Sequence, residues 1–197
     1  TITAKIGDHK FEITSLRKDI LTDGRHAKVE FSKDWYEDAS RRDFTFNAIY
    51  SDLDGNLYDP FNGKEDLELG KVKFIGDPEK RIKEDYLRIL RYVRFYLNYS
   101  KVDHDDNLKK IIKQNINGVS KISSERLLDE LKKLVLSPGF LKISKDKFCQ
   151  EIINLIFPQL INLRIFTDID NSLKNLFEKK DFIFLISLMI IDETDNS

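Results

Sequence analysis

From residue 78 onward, apolar residues recur at three- and four-residue spacing, the period of helices that bury one side. Helices are expected at 78–98, 105–114, 124–135, 145–156, 159–165 and 172–188. Gly76-Asp77-Pro78 opens the first of them: Asp suits a cap and Pro suits the first helical position. Before residue 78 the pattern is different. Residues 1–6 and 10–16 alternate and carry β-branched side chains, with Gly7-Asp8 between them, which reads as a hairpin. Residues 17–38 are polar and broken by Asp23-Gly24, giving a loop, a short strand and a turn. Residues 37–49 read as a helix with Phe44, Ala48 and Ile49 inward. A second hairpin follows, with 48–52 and 57–58 joined at Asp54-Gly55 and closed by Asp59-Pro60. Ser137-Pro138-Gly139 marks a break between helical segments. Strands with one helix, then helices throughout, give an α+β chain.

The helix at 78–98 has two unlike faces. Ile82, Tyr86, Ile89, Leu90 and Val93 fall on one side of the wheel; Arg81, Glu84, Asp85, Arg88 and Arg91 gather on the other. The charged face has two readings. One is a solvated surface laced with pairs such as Glu84–Arg88, each contributing about 0.2–0.5 kcal/mol. The other is a reader of nucleobase edges, because a carboxylate accepts from an exocyclic amine while a guanidinium donates to ring nitrogens and carbonyls. Asp85 and Arg88, one turn apart, match cytosine and adenine, which carry the amine, and mismatch uracil and guanine.

Composition narrows the field. The 197 residues carry a net charge of −1, with 34% charged and 41% hydrophobic residues. Any nucleic-acid contact must therefore be a local basic stripe. Four arginines between Arg81 and Arg94, with Lys109, Lys110, Lys113, Lys132 and Lys133 beyond, supply candidates. The single cysteine, Cys149, excludes an internal disulfide, suits a reducing cytoplasm and reads as core. The three histidines are scattered and spell out no zinc site; His26 reads as solvent-exposed. Residues 182–191 form an apolar run of ten, short of the about 20 that a membrane span needs. That run reads as a buried helix or a surface that expects a partner.

Four motifs in order carry a resemblance to a family. They are Arg41-Arg42-Asp43-Phe44-Thr45-Phe46-Asn47-Ala48; Asp59-Pro60-Phe61-Asn62-Gly63 with Asp66-Leu67; Glu84-Asp85-Tyr86-Leu87-Arg88 with Arg91; and Ser124-Glu125-Arg126 with Glu130-Leu131. Together they resemble the RRDFTxNA, DPFxGxxDL, EDxxR and SxER…EL motifs of class II tRNA nucleotidyltransferases, the CCA-adding enzymes and related bacterial poly(A) polymerases. The resemblance covers residues 10–138 and fades after that.

The resemblance implies a partial polymerase-β-like head over 1–74, a helical, base-reading neck over 75–138, and the start of a helical body over 139–197. It implies template-independent addition of CMP and AMP from CTP and ATP to the 3′ end of tRNA, with Mg²⁺ and release of pyrophosphate. Asp85 and Arg88 would pair with the incoming base, and Glu84 and Arg91 would hold that pair or meet phosphate. Arg42 would meet phosphates, and Asp43 with Asn47 the sugar hydroxyls. Glu12 would be the catalytic third metal carboxylate. The other two belong to an Asp-x-Asp after a Gly-Gly turn, which is not found upstream of Glu12, and Asp168-Ile169-Asp170 stands in the wrong context. With Thr1 inside a strand pattern, the chain reads as a fragment, inactive alone, with a separate head fragment as a possible partner. Two rival readings stay open: a poly(A) polymerase of the same fold, and a non-catalytic RNA-binding remnant or subunit.

Overall fold

The computed structural model describes residues 1–21, 28–166 and 181–190. Strands β1 (Ile2–Ile6) and β2 (His9–Ile13) pair antiparallel, with Gly7 at φ 59° turning the chain. The register puts Ile2, Ala4, Ile6, Phe11 and Ile13 on one face, and Thr3, Lys5, Lys10 and Glu12 on the other. The apolar face is open, with Ile2 71% and Ile6 69% exposed. Strands β3 (Arg17–Leu21) and β4 (Lys28–Phe31) make a second antiparallel pair where one short strand was expected. The Asp23-Gly24 break and His26 lie outside the described residues. Strands β5 (Tyr50–Ser51) and β6 (Leu57–Tyr58) form the expected last hairpin.

Helix α1 (Trp35–Ser40) is capped by Asp34, which accepts from the Tyr36 amide at 2.7 Å. The single helix expected over 37–49 does not form. The backbone leaves the helix after Ser40, is extended at Phe44 (φ −118°, ψ 150°) and resumes as a 3-10 turn at Thr45–Ala48. Tertiary hydrogen bonds override local propensity here. The Thr45 amide donates to Lys73 O (3.0 Å), the Ile75 amide donates to Asp43 O (2.9 Å), and Phe44 pairs with Phe74 as a β-bridge. The Asp43 carboxylate also accepts from the Phe44 amide, a short-range bond that competes with the helix.

Helix α2 (Gly63–Glu68) is bolted to that 3-10 turn. Asp59 accepts from the amides of Gly63 and Lys64, each at 2.8 Å, satisfying the open start of the helix. Thr45 donates its hydroxyl to the buried Asp66 at 2.8 Å. Gly63 lies so close to the turn that a Cβ there would sit 2.2 Å from Thr45 O. The second motif is thus a clamp that seats the first.

Helices α3 (Pro78–Glu84) and α4 (Leu87–Tyr99) replace the continuous helix expected over 78–98. Asp77 caps α3 as expected, accepting from Lys80 N at 2.8 Å. Asp85 breaks the run: its backbone is extended (φ −152°, ψ 104°), and its carboxylate accepts from Leu87 N at 3.2 Å, an amide left open at the start of α4. The Tyr86 ring fills the space beside Gly118, where a Cβ would approach it to 2.0 Å. The expected buried stripe holds: Ile82, Ile89, Leu90 and Val93 are buried and Tyr86 is partly so. Helix α6 (Ser124–Val135) packs on α4 and α5 (Asp106–Asn115) on α3, and α7 (Lys147–Ile156) and α8 (Phe182–Ile190) add side chains to the same core. The helix expected at 159–165 shortens to a 3-10 turn at Leu163–Phe166. Residues 172–180 of the last expected helix lie outside the described residues. Among the described residues no helix is long and apolar enough to cross a membrane.

Gly63→Ala is expected to lower stability by about 1–3 kcal/mol, because the clash is with backbone rather than with a yielding side chain. Urea denaturation checks it; an unchanged midpoint would show that the clamp yields without cost.

Candidate functional site

The site is built around carboxylates that arginines surround. Asp38, in α1, is 1% exposed. Its Oδ1 accepts from Arg41 Nε at 3.0 Å and from the Arg17 amide at 3.2 Å. Its Oδ2 accepts from Arg42 Nη2 at 3.0 Å and from the Tyr50 hydroxyl at 2.8 Å. Burial by itself would raise the Asp38 carboxyl; the bonds from Arg41, Tyr50 and Arg17 overcome it and hold the pKa down at about 2. The same burial and the bond to Asp38 push Tyr50 up to about 12. Arg42 is further fixed by donating Nη1 to Asn47 O (3.0 Å) and lies over the Tyr50 ring at 5.2 Å.

Asp43 is the second such carboxylate, 7% exposed. Oδ1 accepts from Asn47 Nδ2 (2.9 Å) and the Phe44 amide (3.0 Å), and Oδ2 from Arg91 Nε (2.6 Å). Burial opposes its charge, but the Arg91 guanidinium holds the carboxyl below its ordinary value. Glu130, in α6 and 1% exposed, is the third. It accepts from Arg94 Nε at 2.6 Å and faces Arg91 Nη1 at 3.8 Å. Arg91 therefore stands between Asp43 of the first motif and Glu130 of the last.

The α3–α4 break supplies the remaining groups. Glu84 Oε2 accepts from Arg88 Nη1 and from Arg81 Nη1, each at 2.6 Å. Arg88 Nη1 also donates to Arg81 O at 2.7 Å, across the break. Arg81 in turn donates to Arg42 O. Asp85 Oδ2 accepts from Arg126 Nη2 at 2.8 Å.

These residues enclose a cleft of about 540 Å³. Arg17, Arg41, Arg42, Arg88, Arg91 and Arg126 line it, with Asp43 and Asp85 as its acidic members and Asn47 beside them. Six guanidinium groups face the cleft, while Asp38, Glu84 and Glu130, three of the carboxylates they pair with, stand behind them. That arrangement suits a polyanion such as a nucleoside triphosphate, and the volume lies within the range of small-molecule sites. Six of the eight anticipated site residues meet here: Arg42, Asp43, Asn47, Asp85, Arg88 and Arg91. Glu84 stands behind Arg88. The i,i+4 pair Glu84–Arg88 does form, so the ion-pair reading and the base-reading one describe the same side chains.

Glu12 lies elsewhere, exposed on β2 opposite Thr3. Among the described residues, the one group of three metal-ligating side chains is His104, Asp146 and Cys149, which does not include Glu12. A two-metal site is therefore not made by the described residues, and no step is assigned to one. Asp168 and Asp170 lie outside the described residues. Sequence reasoning missed Asp38, Arg17 and Arg41 as members of the site, and gave Arg126 and Glu130 no role. The spacing of Asp38 to Arg41 and Arg42, three and four residues, was a usable signal. Arg17 is joined to them only by the fold.

Two family models match the chain: "Poly A polymerase head domain" over residues 1–73, and "Probable RNA and SrmB- binding site of polymerase A" over residues 104–163. The human mitochondrial CCA tRNA nucleotidyltransferase 1 is 51% identical over 138 residues, covering 69% of this chain and 32% of its own length. A CCA-adding enzyme of Staphylococcus haemolyticus is 32% identical over 200 residues, covering 100% of this chain and 48% of the relative. The solved Bacillus stearothermophilus CCA-adding enzyme in complex with CTP shares the fold at a TM-score of 0.64 and 24% identity, over 94% of this chain and 51% of that one. The chain belongs to the class II CCA-adding enzyme and poly(A) polymerase family. It spans about a third to a half of the length of the curated family members it matches. The mixed fold, strand pairs followed by helices, is that of the family.

Asp38→Asn is expected to lower stability by about 3 kcal/mol near neutral pH, since it removes the buried charge that the partly buried Arg41 and Arg42 pair with. The sign with pH follows from the depressed value. Asp38 moves from 3.8 unfolded to about 2 folded, so its contribution is complete above 3.8 and is lost as pH falls through about 2. Denaturation of both proteins across the acid range checks it: the two stability curves should converge on acidification. A constant gap would place the effect in packing rather than charge.

Proposed function

We propose that the chain carries the base-reading cleft of an enzyme that adds CMP and AMP, without a nucleic-acid template, to the 3′ end of tRNA. CTP and ATP are the substrates and pyrophosphate leaves. The observation that carries this reading is the convergence of Asp85 and Arg88 with Arg42, Asp43 and Asn47 on one arginine-lined cleft. Asp85 accepts from the exocyclic amine of cytosine or adenine, and Arg88 donates to the neighbouring ring acceptor. Uracil and guanine present a carbonyl and an N–H instead, so both contacts fail. Arg126 orients Asp85, and Glu84 orients Arg88. Arg42, anchored by Asp38, meets phosphate; Asp43 and Asn47 meet the ribose hydroxyls, with Arg91 bracing Asp43.

Residues 1–74 act as part of the nucleotidyltransferase head, 75–138 as the neck, and 139–197 as the start of the body. Family members typically use metal ions for nucleotidyl transfer. Glu12 supplies one carboxylate toward such a site, and the open apolar face of β1 and β2 is where further head structure would dock, in cis or as a separate fragment. The helical region that matches the RNA-binding model holds the tRNA. The lone cysteine suits a reducing compartment, and the cytoplasm is the one we assign.

The test completes the chain with a head segment bearing Gly-Gly and Asp-x-Asp motifs and supplies tRNA lacking its 3′ CCA, Mg²⁺ and all four nucleotides. Addition of C, C and A that then stops is the expected result. Continuing A addition would mean poly(A) synthesis, and no extension would overturn the enzyme reading. In the same assay Arg88→Ala should raise UTP and GTP incorporation relative to CTP and ATP by roughly tenfold, the effect of one mismatched contact of about 1–3 kcal/mol. Unchanged selectivity would reduce Arg88 to an ion-pair residue.

A further inference from the structure

We propose that His104, Asp146 and Cys149 form a binding site for a divalent transition-metal ion of the zinc class, separate from the nucleotide cleft. They come from two distant parts of the chain. His104 precedes α5, Asp146 caps α7, and Cys149 lies in the first turn of α7. His104 Nε2 lies 3.0 Å from Asp146 Oδ2 and 3.8 Å from Cys149 Sγ. All three ligand atoms fall within 4.8 Å of one another. In a tetrahedral site with metal–nitrogen bonds of about 2.0 Å and metal–sulfur bonds of about 2.3 Å, ligand atoms stand roughly 3.3–3.6 Å apart. The observed spacings bracket that range, so small side-chain adjustments admit an ion.

The surroundings favour a metal over a solvated cluster. The Cys149 side chain is fully buried, and His104 is nearly so. A thiolate and a carboxylate together carry two negative charges, which a divalent cation neutralises, as a buried site requires. Thiolate and imidazole are soft and borderline ligands that select zinc-class ions over magnesium or calcium. The ring of His104 is held from several sides. Its Nδ1 lies 2.9 Å from the Tyr92 hydroxyl, the outer hydrogen bond that metal-binding histidines usually make. It stacks on Tyr96 at 3.5 Å and meets Phe148 edge-on at 4.7 Å. Asp146 is fixed through Oδ1, which accepts from Cys149 N at 2.8 Å, while Oδ2 faces His104 Nε2 at 3.0 Å, the contact an ion would replace. Its side chain is 21% exposed, which gives solvent a route to a fourth coordination position. Burial and the nearby Asp146 charge push the Cys149 thiol well up, so without metal it is a protonated, inert group. An ion here ties the segment after α4 to α7, and none of the three residues lines the arginine cleft.

Tag-free protein, stripped with chelator, is titrated with Co²⁺ and then with Zn²⁺. A thiolate-to-cobalt charge-transfer band that saturates at a single equivalent and is bleached by Zn²⁺ is the expected result. Cys149→Ser should lose the band, and Tyr92→Phe should keep it with affinity reduced about tenfold. No band in the folded wild-type protein would overturn the proposal and leave a hydrogen-bonded cluster only. A band that survives in Cys149→Ser would overturn it too. If Cys149→Ser does not fold, the wild-type titration decides alone.

Discussion

Arg91 sits between two buried carboxylates, and the geometry of the cleft depends on it. Asp43 binds its Nε and Glu130 stands on its far side, so one guanidinium joins the segment after α1, helix α4 and helix α6. Burying such groups is costly, and breaking one partner leaves an uncompensated charge. The lattice therefore contributes position rather than large net stability: it fixes where Arg42, Asp85 and Arg88 stand when a ligand arrives. Burial opposes the charge of Arg91, but the Asp43 carboxylate keeps it firmly protonated.

The two helix breaks serve the same end. A continuous helix through 78–98 would place Asp85 and Arg88 on one cylinder, their reach set by helical pitch alone. The break turns Asp85 toward Arg126 and lets Arg88 reach back to Arg81 O. Likewise, the unwound stretch at Arg41–Phe44 lets Arg42 and Asp43 serve different contacts while Asn47 folds back on Asp43. The charged side chains thus line one wall of the molecule with few free rotors. On α4, Tyr92 and Tyr96 instead pack against His104, so one helix supports both the cleft and the His104–Asp146–Cys149 cluster.

The buried stripe of α3 and α4, the Asp77 cap and the first and last hairpins were legible from period and turn chemistry. So were six of the cleft residues: Asp85 and Arg88 from their chemistry and spacing, and Arg42, Asp43, Asn47 and Arg91 from the motifs that carry the family resemblance. The breaks at Arg41–Phe44 and at Asp85 were not. No proline or glycine marks them, and the competing bonds come from Lys73, Ile75 and Arg126, distant in sequence. Asp38 escaped notice because a carboxylate beside a polar loop gives no sign that it will be buried. His104 and Cys149 looked unrelated for the same reason: 45 residues separate them, and only the packing of α7 joins them.

Side-chain nitrogen NMR of the arginines tests preorganised base reading most directly. Before any nucleotide is added, the Nε–H signals of Arg91 and Arg94 should exchange slowly with water, as donors to buried carboxylates do. Adding CTP or ATP should shift the Arg88 guanidinium signals while leaving Arg91 and Arg94 in place, and UTP at equal occupancy should not. Equal shifts of Arg88 with CTP and UTP, or an Arg88 that no nucleotide moves, would contradict base reading by this cleft.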